Sequence, residues 1–193
     1  MEMPRDKPEH IIRELCADLY RIGEGLDMLV DGSKKFAILE GLTPEESGTI
    51  LQRCETMNVK KGEKVIEAGA SADALFLVRS GRIEVRFKVV RLNVPIEVPL
   101  DIVGPGDMCG WSALIPPHTY TLSASATEDS ELLRIKRTDL QDCCEGNTRL
   151  GYIVMKNIAR ILGHRYEIAR QALIKEIQRD LEKKENRTLW RAD

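Results

Sequence analysis

Residues 61–114 decide the fold, running from Lys61-Gly62-Glu63 to Gly110-Trp111-Ser112-Ala113-Leu114. Between these ends, short runs of β-branched and aromatic residues are separated by Gly69, Ser80-Gly81 and Gly104-Pro105-Gly106-Asp107. Glycine accepts positive φ and close backbone approach, so its recurrence between β-prone runs predicts strands joined by tight turns. We therefore expect a compact, mainly β roll that encloses a small-molecule pocket.

The clearest strand pattern covers residues 82–89. Ile83, Val85, Phe87 and Val89 alternate with charged residues, which predicts a half-exposed antiparallel strand. Residues 94–103 return from a hairpin tip at 91–93, and Pro95 and Pro99 predict an edge or bulged strand. Further strands are predicted at residues 56–60, 64–67, 75–79, 120–126 and 131–136.

Helical patterns flank the predicted roll. Thr43-Pro44-Glu45-Glu46 is a capping box with proline at the first helical position, and predicts a helix to about Arg53. A short helix is expected over residues 138–145, after which Asn147 is a good N-cap for a long helix reaching Glu185. The apolar residues of that helix cover more than one face, which predicts a second packing surface besides the roll.

The predicted organisation has four parts. Residues 1–32 form an N-terminal helical extension, 33–146 the roll, 147–185 the long helix, and 186–193 a frayed tail. Within the extension, apolar residues recur at alternating spacings of four and three, as in a helix that packs on another helix: Leu15, Leu19, Ile22, Leu26 and Leu29. Two interpretations remain open, a surface helix on its own domain and a seam between subunits.

Composition limits the classes of partner. The net charge is -2, which provides no general attraction for nucleic acid. The five cysteines show no Cys-x-x-Cys spacing, which is typical of reduced thiols in the cytoplasm. The N-terminus lacks the pattern of a signal peptide, and no apolar run approaches the length of a membrane span. We therefore expect a soluble cytoplasmic protein with no membrane partner.

The order of these parts resembles the cyclic nucleotide-binding domain of the catabolite-activator and fumarate-nitrate-regulator superfamily, over residues 36–181. The motifs that carry the resemblance are Lys61–Ile66, Gly69, Leu75–Gly81, Gly104–Asp107 and Gly110–Leu114. The resemblance implies a jelly-roll, or double-stranded β-helix, barrel with flanking helices. It also implies a phosphate-binding cassette, in which a short helix after Gly110 offers backbone N–H groups to a cyclic phosphate.

Two anchors of the family's cassette are replaced in this chain. Trp111 stands where the family has a glutamate for the ribose, and the position of the phosphate-binding arginine falls within residues 118–121, which contain no Arg. We therefore do not expect cyclic AMP to bind in the usual mode. Trp111 either fills the ribose space or stacks on a flatter ligand. The candidate pocket residues are Gly110, Trp111, Ser112, Ala113, Leu114, Tyr120 and Thr121.

The resemblance also implies a homodimer, because the family's long helix pairs with its twofold mate. The matching residues here are Ile158, Ile161, Leu162, Arg165, Ile168, Ala169, Ala172 and Leu173. The short stretch after Glu185 leaves no room for the family's winged helix-turn-helix, so no direct contact with nucleic acid is expected.

These observations predict a non-catalytic regulatory module with a small-molecule effector and no resident cofactor. The alternative is a ligand-free dimeric scaffold that recruits a protein. A third hypothesis is a haem- or metal-dependent cupin-like protein, since Cys109 and His118 flank the candidate pocket and both residue types ligate iron. Against it, Cys109 is interpreted as a small buried side chain and His118 as an exposed loop residue.

Overall fold

The computed structural model describes residues 36–91 and 94–189, and places eight strands in two antiparallel sheets. The first sheet has the order β1 (Glu55–Val59), β8 (Ser130–Lys136), β3 (Ala74–Ser80), β6 (Met108–Cys109). The second has the order β2 (Lys64–Ile66), β7 (Ser123–Ala126), β4 (Ile83–Arg91), β5 (Val94–Val103). The inner faces of both sheets share one apolar core, so the predicted mainly β jelly roll is confirmed.

The β4–β5 hairpin confirms the prediction for the proline-containing strand. β5 is an edge strand, and its register with β4 shifts so that Val85 faces Asp101 while Arg86 faces Pro99. One extra residue of β5 thus forms a bulge next to Pro99, which is where a residue without an N–H is tolerated. The predicted inward alternation holds for Ile83 and Val85 but fades beyond the bulge, since the end of the hairpin projects past the core.

Helix α1 (Pro44–Leu51) begins with the predicted capping box. The hydroxyl of Thr43 accepts from the backbone N–H of Glu46 at 3.2 Å, and the Glu46 carboxylate accepts from the N–H of Thr43 at 2.9 Å. The helix ends two residues before the predicted Arg53. Glu46 also pairs with Arg149, whose guanidinium lowers the pKa of that carboxyl to about 2. The pair connects α1 to the start of the long helix.

Helices α2 (Arg137–Gly146) and α3 (Thr148–Leu189) follow the roll. Asn147 is the N-cap that the sequence predicts, since its side-chain oxygen accepts from the N–H of Leu150 at 3.1 Å. The predicted end of the long helix at Glu185 is wrong, because the helix continues to Leu189. No proline or glycine follows Glu185 to end it earlier.

Two apolar clusters meet at β3, which is buried on both faces. Ala74, Phe76 and Val78 point into the roll, whereas Leu75 and Leu77 point outward beneath the helices. The outer cluster joins the 3₁₀ helix Ala37–Leu39 to α2 and α3. The long helix is thereby fixed to the outer face of the strand whose inner face lines the candidate pocket.

Residues 1–35, 92–93 and 190–193 are outside the described part of the chain. The predicted helical extension over 1–32, its apolar repeat and the hairpin tip therefore stay predictions. Among the helices that the structure describes, none combines the length and apolar character needed to cross a membrane.

Candidate functional site

The cassette begins where β6 ends, at a turn that requires glycine. Gly110 has φ of 84°, and a Cβ at this position would lie 3.0 Å from the carbonyl oxygen of Ala74 and 3.2 Å from the ring of Phe76. The turn opens a 3₁₀ helix, Trp111–Leu114, in which the N–H of Ala113 donates to the carbonyl of Gly110 at 3.0 Å. The short helix implied by the family resemblance is therefore present.

The loop after this helix is held by backbone hydrogen bonds and by His118. His118 has φ of 55°, its ring Nδ1 lies 3.0 Å from the carbonyl oxygen of Ala113, and its own carbonyl accepts from the N–H of Ala72. Since a carbonyl oxygen only accepts, Nδ1 carries the proton. The interpretation of His118 as an exposed loop residue is wrong. The ring is half-buried because it lies against the 3₁₀ helix, where it donates to the carbonyl oxygen of Ala113.

Tyr120 occupies the interior of the roll. Its side chain is buried in the core that both sheets share, beside Ala72, Ala74 and Ala113. The hydroxyl donates to the carbonyl oxygen of Ala74 at 2.6 Å and accepts from the N–H of the same residue at 3.3 Å. Burial raises the pKa of Tyr120, so the phenol is neutral at physiological pH. Tyr120 thus fills space inside the roll with its polar atom satisfied by the protein itself.

The other predicted pocket residues divide between two sides of β3. Ser112 and Ala113 are buried, and Ala113 belongs to the interior core together with Tyr120. Trp111 and Leu114 pack instead against the outer cluster beneath α3. Thr121 is exposed. The ring of Trp111 therefore lies on the helix side of the cassette, because the turn at Gly110 directs it outward and Tyr120 is the aromatic ring inside.

The electrostatic character of the cassette is neutral. Residues 110–126 contain no Arg, Lys, Asp or Glu and one histidine, His118. No side chain caps the start of the 3₁₀ helix at Gly110. The cassette therefore has backbone N–H dipoles at its helix start but no cationic side chain to accompany them.

Cys109, directly before the turn, is buried as expected from its interpretation as a small core side chain. Burial raises the pKa of its thiol to about 12, so the sulfur is protonated at neutral pH and is a poor metal ligand. Over residues 36–91 and 94–189, no cluster of three or more His, Cys, Asp or Glu side chains has the arrangement of a metal site.

Arg165 connects α3 to the strand that leads into the cassette. Its guanidinium binds Asp107 at 2.8 Å, Asp101 at 3.3 Å and the carbonyl oxygen of Met108 at 2.9 Å. Burial works to lower the pKa of Arg165, but the carboxylates of Asp107 and Asp101 outweigh it and the pKa is raised. Burial raises the pKa of Asp101, partly opposed by Arg165. The side chain of Arg165 is thus held against its own roll, and its predicted place in the dimerisation helix stays a prediction.

Sequence reasoning missed this ion cluster and the role of Ala74. Asp101 carried no motif, and Asp107 was noted only as part of a turn. The sequence has an aspartate at the end of the turn Gly104-Pro105-Gly106-Asp107 and an arginine on the long helix. Their presence together is a signal that could have suggested the Asp107–Arg165 ion pair. No local signal connects Ala74 to Tyr120, since 46 positions separate them.

The long helix has an exposed apolar side opposite the roll. Tyr152, Met155, Tyr166 and Leu173 share this side by helical geometry, and Tyr166 is 69% exposed. Of the predicted dimer residues, Leu173 and Ala169 are exposed, Ile161, Leu162 and Ile168 are half-buried, and Ala172 lies within the helix. Ile158 is 2% exposed and packs in its own chain's outer cluster, and the predicted set of dimer residues stays a prediction.

Comparison with known proteins finds relatives of the roll. Residues 56–147 match the family model described as the cyclic nucleotide-binding domain. The cyclic AMP receptor protein of Thermus thermophilus is 31% identical over 103 residues, which are 53% of this chain and 46% of that protein. Glutaminase 1 of Bradyrhizobium diazoefficiens is 27% identical over 132 residues, covering 68% of this chain and 20% of the enzyme. The chain thus spans less than half the length of these relatives.

The structural comparison agrees. The crystal structure of the Thermus thermophilus catabolite activator protein superimposes with a TM-score of 0.60 at 29% identity, covering 71% of this chain and 61% of that one. The matched region contains both sheets and the cassette turn at Gly110. Residues 56–147 are therefore similar to the cyclic nucleotide-binding domain, and the roll shares the fold of the Thermus thermophilus catabolite activator protein.

Proposed function

We propose that this chain is a non-catalytic, cytoplasmic regulatory module, in which the roll does not hold a cyclic nucleotide in the family's usual mode. The observation that carries the proposal is the position of Tyr120. Its ring lies in the interior of the roll, and its hydroxyl is already bonded to both backbone polar groups of Ala74. A ligand that enters this space has to displace the ring and break two satisfied hydrogen bonds.

The charge of the cassette supports the same proposal. An ionised phosphate loses its water on entering a protein interior, and a neighbouring guanidinium normally replaces that water with charge and two aligned donors. Residues 110–126 supply no such group. The N–H dipoles of one short helix leave the cost of desolvating the phosphate largely uncompensated. An uncharged or aromatic effector fits this neutral cassette better than a nucleotide.

We do not infer a catalytic activity from the similarity to the glutaminase. The match covers a fifth of that enzyme, so most of the enzyme has no counterpart in the aligned part. The comparison with the cyclic AMP receptor protein favours a regulatory role. We therefore assign no catalytic residue and no cofactor, and take a small-molecule effector as the partner of the roll.

A thermal-shift panel of cyclic AMP, cyclic GMP, cyclic dinucleotides, ATP, haem and aromatic acids tests the proposal. We expect the cyclic nucleotides to change Tm by less than about 1 °C at concentrations a hundredfold above a micromolar Kd, where a specific ligand stabilises by about 2.7 kcal/mol. If an aromatic acid raises Tm by entering the space of Tyr120, Tyr120→Ala should enlarge the shift, because no ring has to be displaced, and Thr121→Ala, at the exposed neighbour, should leave it unchanged. A strong response to cyclic AMP contradicts the proposal.

The second candidate function, a ligand-free scaffold, is favoured by the exposed apolar side of α3. Tyr166 and Leu173 lie on it without cover from the described residues of their own chain. In both candidates this side of the helix pairs with a second copy, which gives a homodimer. The scaffold differs in needing no effector for recruitment of a protein partner.

The dimer has its own test. Tyr166→Asp with Leu173→Asp places two desolvated charges in the proposed interface, and we expect sedimentation to show a monomer at micromolar concentration. Gln171→Asp is the matched control, since Gln171 is exposed on another side of the same helix. The control should remain a dimer. A monomeric wild-type protein at the same concentration rejects the dimer.

A further inference from the structure

The chain from Ala37 to Glu46, which includes the first turn of α1, runs alongside α3 in the opposite direction. Glu46 binds Arg149 near the start of α3, and the carbonyl of Glu40 accepts from the side chain of Asn157 at 2.8 Å. Ala37 lies further along α3, toward its C-terminus. Its N–H donates to the carbonyl oxygen of Gly106 at 2.8 Å, and the next residue, Asp107, binds Arg165 of α3. Followed back from residue 46 to residue 37, the chain advances along α3 from position 149 to about position 165.

This direction brings the preceding residues to the C-terminal half of α3. The helix has 42 residues and a length of about 63 Å, and it continues beyond Arg165 for 24 residues, about 36 Å. In that half Ile174, Ile177 and Leu181 are exposed, at spacings of three and four. At 100° per residue Ile177 lies about 20° from Tyr166, whereas Leu181 and Ile174 lie about 60° and 80° from it, toward the side that receives residues 37–40. They form an apolar strip, the distal strip.

The sequence of the N-terminal segment matches the distal strip in the spacing of its apolar residues. The five apolar residues from Leu15 to Leu29 keep spacings of four and three, and as a helix they span about 21 Å. The distal strip extends about 10 Å along α3 from Ile174 to Leu181, so the segment is long enough to cover it. Residues 30–36 reach at most about 25 Å, which is enough to connect either end of the strip to Ala37.

The charges of the two segments are also complementary. Residues 11–30 contain four carboxylates and two arginines. Residues 165–189 of α3 contain seven basic and five acidic residues. An acidic segment beside a basic helix lowers the electrostatic free energy of docking, and wrong partners of like charge are disfavoured.

We propose that residues 11–30 of the same chain dock as a helix, antiparallel to α3, on the distal strip of Ile174, Ile177 and Leu181. The occupant is this segment because the fold delivers it to the strip, its apolar spacing matches, and its charge is opposite. The side with Tyr166 and Leu173 is left for a second copy. This docking concerns the helix surface and does not rest on the proposed function of the roll.

Hydrogen exchange of the full-length chain tests the docking. In the wild type we expect residues 11–30 to be protected. Leu19→Asp with Leu26→Asp should make exchange at least about tenfold faster both in that segment and in residues 174–181, while β3 is unchanged. Ala17→Asp with Met28→Asp adds the same charge on the opposite side of the segment and should leave both regions protected.

Two outcomes overturn the proposal. Fast exchange of residues 11–30 in the wild type shows that the segment does not dock. Protection of residues 174–181 that survives the Leu19 and Leu26 substitutions but disappears when the wild-type protein is diluted to monomer shows that a second copy covers the strip. Protection of both regions that is independent of protein concentration and lost in the double variant supports docking within one chain.

Discussion

Tyr120→Ala is expected to lower the free energy of unfolding by about 3–5 kcal/mol, the range for removing a buried aromatic ring from a core. The ring belongs to the interior core, whose members include Ala74, Phe76 and Ala113. A close-packed core relaxes only in part when a ring is removed, so a cavity remains and the transfer and cavity costs add. Urea denaturation measures the change.

Tyr120→Phe separates the ring from the hydroxyl. It keeps the packing but deprives Ala74 of its bonds at 2.6 and 3.3 Å, and we expect a loss of about 1–2 kcal/mol. Thr121→Ala, at the exposed neighbour, should change stability by less than about 0.5 kcal/mol. A Tyr120→Ala variant as stable as Thr121→Ala contradicts the placement of the ring inside the roll.

Gly81→Ala is expected to cost about 2–5 kcal/mol, through two effects at the turn between β3 and β4. The residue has φ of 81°, which alone penalises an L side chain by about 1–2 kcal/mol. A Cβ would also lie 2.1 Å from the Oγ of Ser130 and 2.7 Å from its Cα. Since the second atom belongs to the backbone of β8, the strand itself has to move, at a further cost of about 1–3 kcal/mol.

Gly62→Ala is the matched control for that substitution. Its φ is 83°, but a Cβ there meets nothing within 4 Å. We expect a loss of about 1–2 kcal/mol, the conformational penalty without the clash. The difference between the two variants, measured by denaturation in the same buffer, reports the close approach of Ser130. Equal losses at both glycines contradict it.

Local interactions explain why several elements were predictable. The capping box at Thr43 and Glu46 and the N-cap at Asn147 each form between residues three positions apart. Pro99 at a bulged edge strand and glycine at positive φ are also local, because they depend on one residue's own backbone. The succession of these features is enough to predict the roll and the start of the long helix.

The candidate site was only partly predictable, because its side chains point in directions that distant residues decide. Trp111 is next to Gly110 in sequence, yet it packs beneath α3, while Tyr120 takes the interior place beside Ala74. Ile158 and Arg165 lie on a helix with apolar residues on more than one face, and both side chains face the roll of their own chain. Helical spacing gives neighbours on a face and does not tell which face meets the roll.

The sequence by itself determined the class of fold, the corners of the roll and the absence of charged residues from the cassette, since each depends on residue type and local backbone preference. Two features were decided by the tertiary structure alone. Tyr120 follows the stretch from Gly62 to Leu114 in sequence, yet its ring lies inside the roll that this stretch builds. Arg165 binds Asp101 and Asp107 and so connects the long helix to the roll. The physical reason is that both depend on packing between segments tens of residues apart, which no local pattern encodes.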